Sequence, residues 1–453
     1  MSRRVAVYQA IFAFLSLGLY AQLASAQGPA GDATKIKKLL PAMKEKVEAE
    51  MDDLAKLYRQ IHANPELSLQ EEKTAARLAK ELKDLGFTVT TGIGGHGVIG
   101  VLKNGPGPTV LVRTDMDALP VVEATGLPYA SKVRARDKEG NDVGVMHACG
   151  HDMHMTSWVG AARVLVKLKD RWQGTLVFMA QPAEEMGLGA RAMLKDGLFS
   201  RFPRPDFCLA LHCDPRAPHG HVAYSEGLLM ANVDTIDITV LGKGGHGSAP
   251  HMTIDPIVLS AKIILELQTI VSRETDPLDS AVVSVGSIHG GTKHNIIPPE
   301  VKMKLTVRTL KDNVRKNVLE GIDRIAKAAA VGARAPEPII KIDLDNYTPA
   351  VFNNAALTRK NKAVFEEILG EDKVHSIGPI MGGEDFGRLG REGVPICLYF
   401  LGTSAPERVA ESHKPGGAPL PGLHSDLYYP IPEPSIRTGV LTMSGAVLNI
   451  LGK

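Results

Sequence analysis

Between His147 and His154, in MHACGHDMH (146–154), three histidines and one cysteine fall within eight positions. Cys149 and His151 offer a thiolate and an imidazole two residues apart, both suited to a borderline divalent cation. Scattered histidines are mostly structural or solvated, but four nitrogen and sulfur donors this close favour a metal site. QPAEE (181–185) directly follows the apolar run GTLVFMA (174–180). Alone, a Glu-Glu pair reads as a solvated helix start. At the carboxyl end of a buried strand, it sits where open α/β sheets hold their ligands. Such a pair suits hydrolysis: one glutamate binds a cation that acidifies water, and its neighbour takes the proton.

Weaker signals lie elsewhere. His212 ends the apolar run DFCLALH (206–212) and reads equally as a ligand or as a structural histidine. His424, in PGLHSDLYYP, says less by itself. Asp115 and Asp117, in VRTDMDALP (112–120), follow the run TVLVR; they either bind a cation directly or orient a histidine that does.

These segments need a scaffold. Val47, Met51, Leu54, Tyr58 and Ile61 recur at helical spacing through 42–61. Ser68 and Glu71 form a capping-box pattern opening a helix that ends at Gly86. Short, continuous apolar runs at 97–102, 109–113, 174–180 and 206–212 predict strands buried on both faces, hence a largely parallel sheet covered by helices. From 233 to about 344 the pattern changes. VDTIDITVLG alternates apolar and polar residues, and helix 255–271, strands 281–288 and 301–309, helix 312–330 and strand 338–344 follow. That order is the β-α-β-β-α-β of ferredoxin-like modules. The α/β pattern resumes with a helix near 354–369, strand 395–402 and a final helix near 433–451. The expectation is an α/β domain at 27–230 and 346–453, with a smaller α+β domain inserted at 231–345. The Gly/Pro-rich stretch 413–422 reads as a loop.

Composition narrows the function further. The 453 residues hold 52 basic and 50 acidic side chains, a net charge of +2 that gives no footprint for nucleic acid. The N-terminus carries Arg3 and Arg4, an apolar run from Ala10 to Tyr20, and Ala24-Ser25-Ala26. This is the form of a secretory signal at 1–26 cleaved after Ala26, with a periplasmic or secreted product; the alternative is an uncleaved anchor. The run is short for a membrane span, and no later stretch is long and apolar enough. Of the four cysteines, Cys149 reads as a ligand, Cys208 and Cys213 as small core residues, and no disulfide framework is expected.

The motifs RTDMDALP, MHACGHDMH, QPAEE, GKGGHGSAPH, GGTKHNIIP and MGGEDF occur in this order. Together they resemble the hippurate hydrolase and auxin-conjugate amidohydrolase branch of the di-metal aminoacylase/carboxypeptidase metallopeptidases, from about residue 42 to the C-terminus. The resemblance implies two divalent ions held by Cys149, His151, Glu185, His212 and His424, with Cys149 bridging. It implies Glu184 as general base and acid, and Asp117 as the carboxylate orienting a ligand. On the inserted domain it implies His246 polarising the scissile carbonyl across a homodimer (or tetramer). Asn295 and Arg308 would hold the polar groups and free carboxylate of an N-acyl amino acid. One thiolate among three imidazoles favours Zn²⁺ or Co²⁺ over Mg²⁺ or Ca²⁺; relatives also use Mn²⁺ or Ni²⁺. Thr114, where alanine is usual, and the Lys293-His294 pair depart from the family pattern without touching a ligand. Two rivals remain: a dipeptidase or carboxypeptidase on the same scaffold, and a periplasmic solute-binding protein, which has no need of Glu184 or a thiolate.

Overall fold

In the computed structural model the described residues are 33–453, so the signal-like segment 1–26 lies outside them. Helices α1 (Ala33–Glu48) and α2 (Met51–His62) come first. The helical periodicity through 42–61 is real but interrupted, because the chain turns at residues 49–50. Glu50 is anchored there by Arg163, at 2.7 Å, and by Lys167. The turn lets Met43 and Val47 on one helix, and Leu54 and Tyr58 on the next, enter the same core.

Helix α3 (Glu72–Asp84) ends at Gly86, whose φ of 85° supplies the left-handed residue such an ending favours. Its start corrects the sequence reading, since no capping box forms. Ser68 Oγ donates instead to Asp117 Oδ2 at 2.6 Å, and Glu71 accepts from the amides of Leu69 and Ala183. Glu66 caps the helix, accepting from Thr74 N at 2.7 Å and Lys73 N at 3.2 Å. Both members of the pattern are thus used to position the segments that carry Asp117 and Glu184.

Strands β1 (Thr88–Ile93), β2 (Gly97–Asn104) and β3 (Thr109–Asp115) follow, then helix α4 (His151–Lys167) and β4 (Gly174–Gln181). The short helices α5 (Gly189–Lys195) and α6 (Leu198–Arg201) lead to β5 (Phe207–Pro218) and β6 (Val222–Tyr224). Residues 232–342 then form β7 (Asn232–Leu241), α7 (Pro256–Thr269), β8 (Ala281–His289), β9 (Glu300–Thr309), α8 (Asp312–Gly332) and β10 (Ile339–Ile342). The chain closes with α9 (Ala355–Leu369), β11 (Val374–Ser376), α10 (Gly387–Arg391), β12 (Ile396–Ser404) and α11 (Pro432–Leu451).

The large sheet has the order β1-β2-β4-β3-β5-β12-β6-β11. Its centre, β4-β3-β5-β12, is parallel, while β1/β2, β2/β4 and β12/β6 pair antiparallel. The fold is thus mixed α/β with a mostly parallel central sheet between helices. A second, wholly antiparallel sheet has the order β8-β9-β7-β10. Ile236, Ile238, Val307 and Leu305 on one of its faces pack with Ile263 and Ile322 of α7 and α8 into a separate core. Val233, Thr235, Asp237 and Arg308 lie on the other face.

One buried cluster fixes the start of α4. His62 donates to Asp152 at 2.6 Å through Nδ1 and to Glu123 at 3.0 Å through Nε2, beside the rings of Tyr58 and Tyr129. Burial alone would push the His62 imidazole down, but the two carboxylates raise its pKa from 6.5 to about 9. A folded-state value above the unfolded one stabilises fully below pH 6.5 and ceases to do so as pH rises through 9. The stability gap between wild type and His62→Gln is therefore expected to be on the order of 3 kcal/mol at pH 6 and to narrow by pH 10. Urea unfolding at both pH values measures it; a gap that widens with pH contradicts the assignment of a charged His62.

Candidate active site

The parallel strands open a cleft because their pairing is unequal. β3 pairs with β5 only from Val110↔Phe207 to Val112↔Leu209. Beyond Leu209, β5 pairs only with β12, with His212 opposite Phe400. The sequence reading ended this strand at His212; it continues to Pro218, and His212 sits within it. The gap is filled by side chains from the ends of β3 and β4 and the start of α4.

Gly150 makes the first of these placements possible. It precedes α4 with φ of 81°, and a Cβ there would lie 2.9 Å from Cys213 Sγ, so a residue with a side chain fits poorly. The tight turn puts Cys149 and His151 on adjoining sides of the helix start. His151 donates through Nδ1 to Asp117 O at 2.8 Å, and His212 through Nδ1 to Cys213 O at 2.9 Å. Each imidazole therefore has its Nε2 free to face the cleft, the arrangement that ligating histidines adopt. His212 Nε2 lies 3.6 Å from Cys149 Sγ.

On the opposite wall, Asp117 Oδ2 accepts from Glu185 N at 3.0 Å. Ala183 takes φ of 49° and His424 φ of 68°, two non-glycine residues held in the left-handed region at the site. His424 N bonds Ala148 O at 2.8 Å, and its Nε2 lies 3.5 Å from Glu185 Oε2. Ligand atoms of Cys149, His151 and His212 come within 4.8 Å of one another, as do those of Cys149, Glu185 and His424. The two groups share Cys149. A third group of the same compactness is His151, Glu184 and Glu185.

The electrostatics of this cluster call for positive charge. Burial pushes the Glu184 carboxyl well above the carboxylate range, with Glu384 and Glu185 adding to it. Burial likewise brings Glu185 to about 7 against the pull of His151, and holds the Cys149 thiol well up. His151, opposed by burial, is raised to about 10 by Asp115 and Asp117. His151 Nε2 and Glu185 Oε1 are buried and have no hydrogen-bond partner. They face each other at 3.8 Å. An orphaned nitrogen and an orphaned oxygen beside a cysteine sulfur, amid a crowd of carboxylates, fit divalent cations.

Not every residue of MHACGHDMH joins the cluster. His154 is satisfied: Nδ1 donates to Asp115 at 2.7 Å and Nε2 accepts from Cys213 N at 2.8 Å. His147 is buried, with neither ring nitrogen bonded and its pKa lowered by burial to about 4.

The cleft, about 520 Å³, is lined by Cys149, Glu184, Glu185, His212 and His424 on one side. The small sheet contributes Val233, Thr235, Asp237 and Arg308 on the other. Arg308 also donates to Met381 O at 2.9 Å. His246 and Asn295 are not brought there. They sit together where Gly245–His246 pairs antiparallel with Ile296–Ile297 at an exposed part of the small sheet's domain; there Gly247 N bonds Asn295 O at 2.8 Å and His246 Nδ1 accepts from Ser248 N at 3.1 Å.

The sequence reading assigned no role to Arg113, Glu384 or Asp385. Arg113, wholly buried, bonds Glu384 at 2.8 Å, Asp115 at 2.8 Å and Gln181 at 3.0 Å. Asp385 in turn accepts from Gln181 and from Ala190 N at 3.0 Å. Glu184, Glu384 and Asp385 form another compact group. An arginine inside the buried strand TVLVR was the available signal, since such a charge demands buried partners.

Over residues 111–416 the chain matches Peptidase family M20/M25/M40. The chain belongs to this family. Hippurate hydrolase of Campylobacter jejuni is 41% identical over 337 residues, 74% of this chain and 84% of that relative. Thermostable carboxypeptidase 2 of Saccharolobus solfataricus is 38% identical over 369 residues, 81% of this chain and 89% of that relative. Among solved structures, the Bacillus subtilis YXEP protein, a dinuclear metal binding peptidase from the M20 family, is 30% identical with a TM-score of 0.69. It covers 89% of this chain and 100% of its own. Membership in the M20/M25/M40 family accounts for the mixed sheet and for a donor cluster at its carboxyl end.

Proposed function

We propose that this M20/M25/M40 member is a metal-dependent amidohydrolase that cleaves the amide bond of N-acyl amino acids. The observation that carries the reading is the convergence of Cys149, His151, Glu185, His212 and His424, with the orphaned His151 Nε2 and Glu185 Oε1 among their atoms, beside the carboxyl of Glu184. Two divalent ions bound there supply an acidified water and polarise the substrate carbonyl. Zinc is the proposed metal, from the sulfur and imidazole content of the donor set; cobalt, manganese and nickel are the alternatives.

The chain's own residues do the rest. Glu184 takes the proton of the attacking water and returns it to the departing amine nitrogen. Asp117 keeps His151 in the tautomer that exposes Nε2, through its carbonyl oxygen, while its carboxylate fixes the amide of Glu185. Arg308, facing the cleft from the small sheet, pairs with the free carboxylate of the substrate. His246 and Asn295 lie outside the cleft of their own chain, so their proposed roles, polarising the carbonyl and holding polar groups, require a second copy. Exposed Ile257, Val258 and Leu265 of α7, with Ile288 and Ile296 in the same domain, supply apolar surface for such a homodimer. Residues 231–345 are accordingly proposed as a lid and dimerisation domain inserted between 27–230 and 346–453. Export with cleavage after Ala26 is proposed from the N-terminal pattern; among the described residues no helix is long and apolar enough to cross a membrane.

The second reading, a carboxypeptidase or dipeptidase, is favoured by the names of two relatives, both thermostable carboxypeptidases. A panel of N-benzoyl, N-acetyl and unblocked aminoacyl amino acids separates the two. It is run on metal-stripped enzyme reconstituted in turn with zinc, cobalt, manganese and nickel. N-acyl substrates are expected to turn over and unblocked dipeptides to lag behind them. The reverse order favours the peptidase; no turnover with any metal removes the hydrolase reading.

A further inference from the structure

We propose a second binding site, for a multivalent anion, behind the cleft and formed by Arg191 and Lys195 of α5, Arg204, and Arg388 of α10. These residues line a cavity of about 520 Å³, as large as the cleft itself, with Arg391, Phe199 and one acidic residue, Glu392. The chain as a whole is nearly neutral, at +2, so five cations against one carboxylate is a local feature and not a general basic excess.

Most of this charge has no direct ion-pair partner. Only Arg391 is taken up, by a two-point pairing with Asp312 at 2.6 and 2.8 Å. Among the described residues no carboxylate lies within ion-pair distance of Arg191, Lys195, Arg204 or Arg388. Arg204 donates to the main-chain oxygen of Glu392 at 2.5 Å and lies over the Phe199 ring at 5.1 Å. Arg388 donates to the main-chain oxygens of Tyr347 and Asp345. Its Nε is buried without a hydrogen-bond partner. Arg191 and Lys195, four residues apart, lie on one face of α5.

Unpaired cations around a void repel one another unless something negative enters. Basic side chains lining one void suit a ligand that presents several oxygens, such as a phosphoryl group or a polycarboxylate, with Phe199 as an apolar wall. The cavity is separate from the catalytic cleft but touches its supports. Arg388 holds the carbonyl of Tyr347, a residue lining the cleft, and the start of α5 is tied to Asp385 through Ala190 N.

The test uses metal-loaded enzyme and two probes, inorganic phosphate and benzene-1,3,5-tricarboxylate, titrated at constant ionic strength against chloride. Thermal shift and calorimetry are the readouts. Both probes are expected to bind wild type and raise its melting temperature. In the Arg191→Ala/Lys195→Ala double variant, whose changes lie outside the catalytic machinery, affinity is expected to fall by about tenfold or more, with hydrolysis and the ligand-free melting temperature retained. Tighter binding of phosphate identifies a phosphoryl ligand, and tighter binding of the tricarboxylate a polycarboxylate. Binding that persists unchanged in the double variant places the probe at the metal cluster and overturns the proposal, as does a wild type that responds no more to the probes than to chloride.

Discussion

Glu184→Gln is expected to keep its metal ions and lose about 10²–10⁴-fold in kcat. The amide preserves the shape of the side chain and its contacts but cannot accept or return a proton. Glu184 is nearly enclosed, its side chain 8% exposed, with Oε2 3.8 Å from the unpartnered Nε2 of His151. It is close enough to meet a water held at the cluster, yet the proposed ligand set is complete without it. Elemental analysis beside steady-state kinetics distinguishes the possible roles. Unchanged stoichiometry with collapsed kcat fits proton transfer. Loss of an ion would make Glu184 a ligand, and near-normal kcat would remove it from the chemistry.

That assignment was open to the sequence because the ligands cluster along the chain. Cys149 with His151, and Glu184 with Glu185, are neighbours whose chemistry can be read before any fold is known. The buried strands were legible for a similar reason: LVFMA and FCLAL are apolar without a break, as strands covered on both faces are. The small sheet declared itself by alternation, and β7 follows it residue by residue, with Ile236, Ile238 and Val240 buried and Thr235 and Asp237 outward.

What the sequence hid depends on partners distant along the chain. The turn between α1 and α2 carries no proline or glycine; it is held by Arg163 and Lys167, more than a hundred residues away. Ser68 and Glu71 have the spacing of a capping box, and local propensity gives no reason to expect otherwise. Asp117 and Ala183 compete for them and win, because an unpaired buried carboxylate or amide costs more than a cap contributes. His154 looks like a ligand by spacing and is consumed by Asp115 and Cys213. The position of His246 outside the cleft could not be read at all, since spacing along a chain says nothing about which side of a domain a loop occupies.

Arg113 is the extreme case of such hidden dependence, and Arg113→Met is expected to destabilise the protein by about 3–5 kcal/mol at pH 8. The guanidinium bonds Asp115, Glu384 and Asp385 at once, with both side-chain oxygens of Glu384 engaged, at 2.8 and 3.1 Å. Methionine fills the space but removes the guanidinium from three buried carboxylates, leaving Asp115 to His154, Asp385 to Gln181 and Ala190 N, and Glu384 to Phe386 N. Burial already raises Asp385 to about 7 while Arg113 pulls it down. Without the guanidinium Asp385 ionises at still higher pH in the folded state than in the unfolded chain. The folded protein then binds the extra proton, so the penalty is fully felt above the raised value and relieved as pH falls through it. Urea unfolding of metal-loaded wild type and variant is therefore expected to show a larger gap at pH 8 than at pH 5.5. A loss below about 1 kcal/mol, or one independent of pH, would mean that the network contributes no more than an exposed pair does. In that event Glu384 could not owe its place beside Glu184 to Arg113, and the support of the general base would have to be sought in the backbone of the GGEDF segment instead.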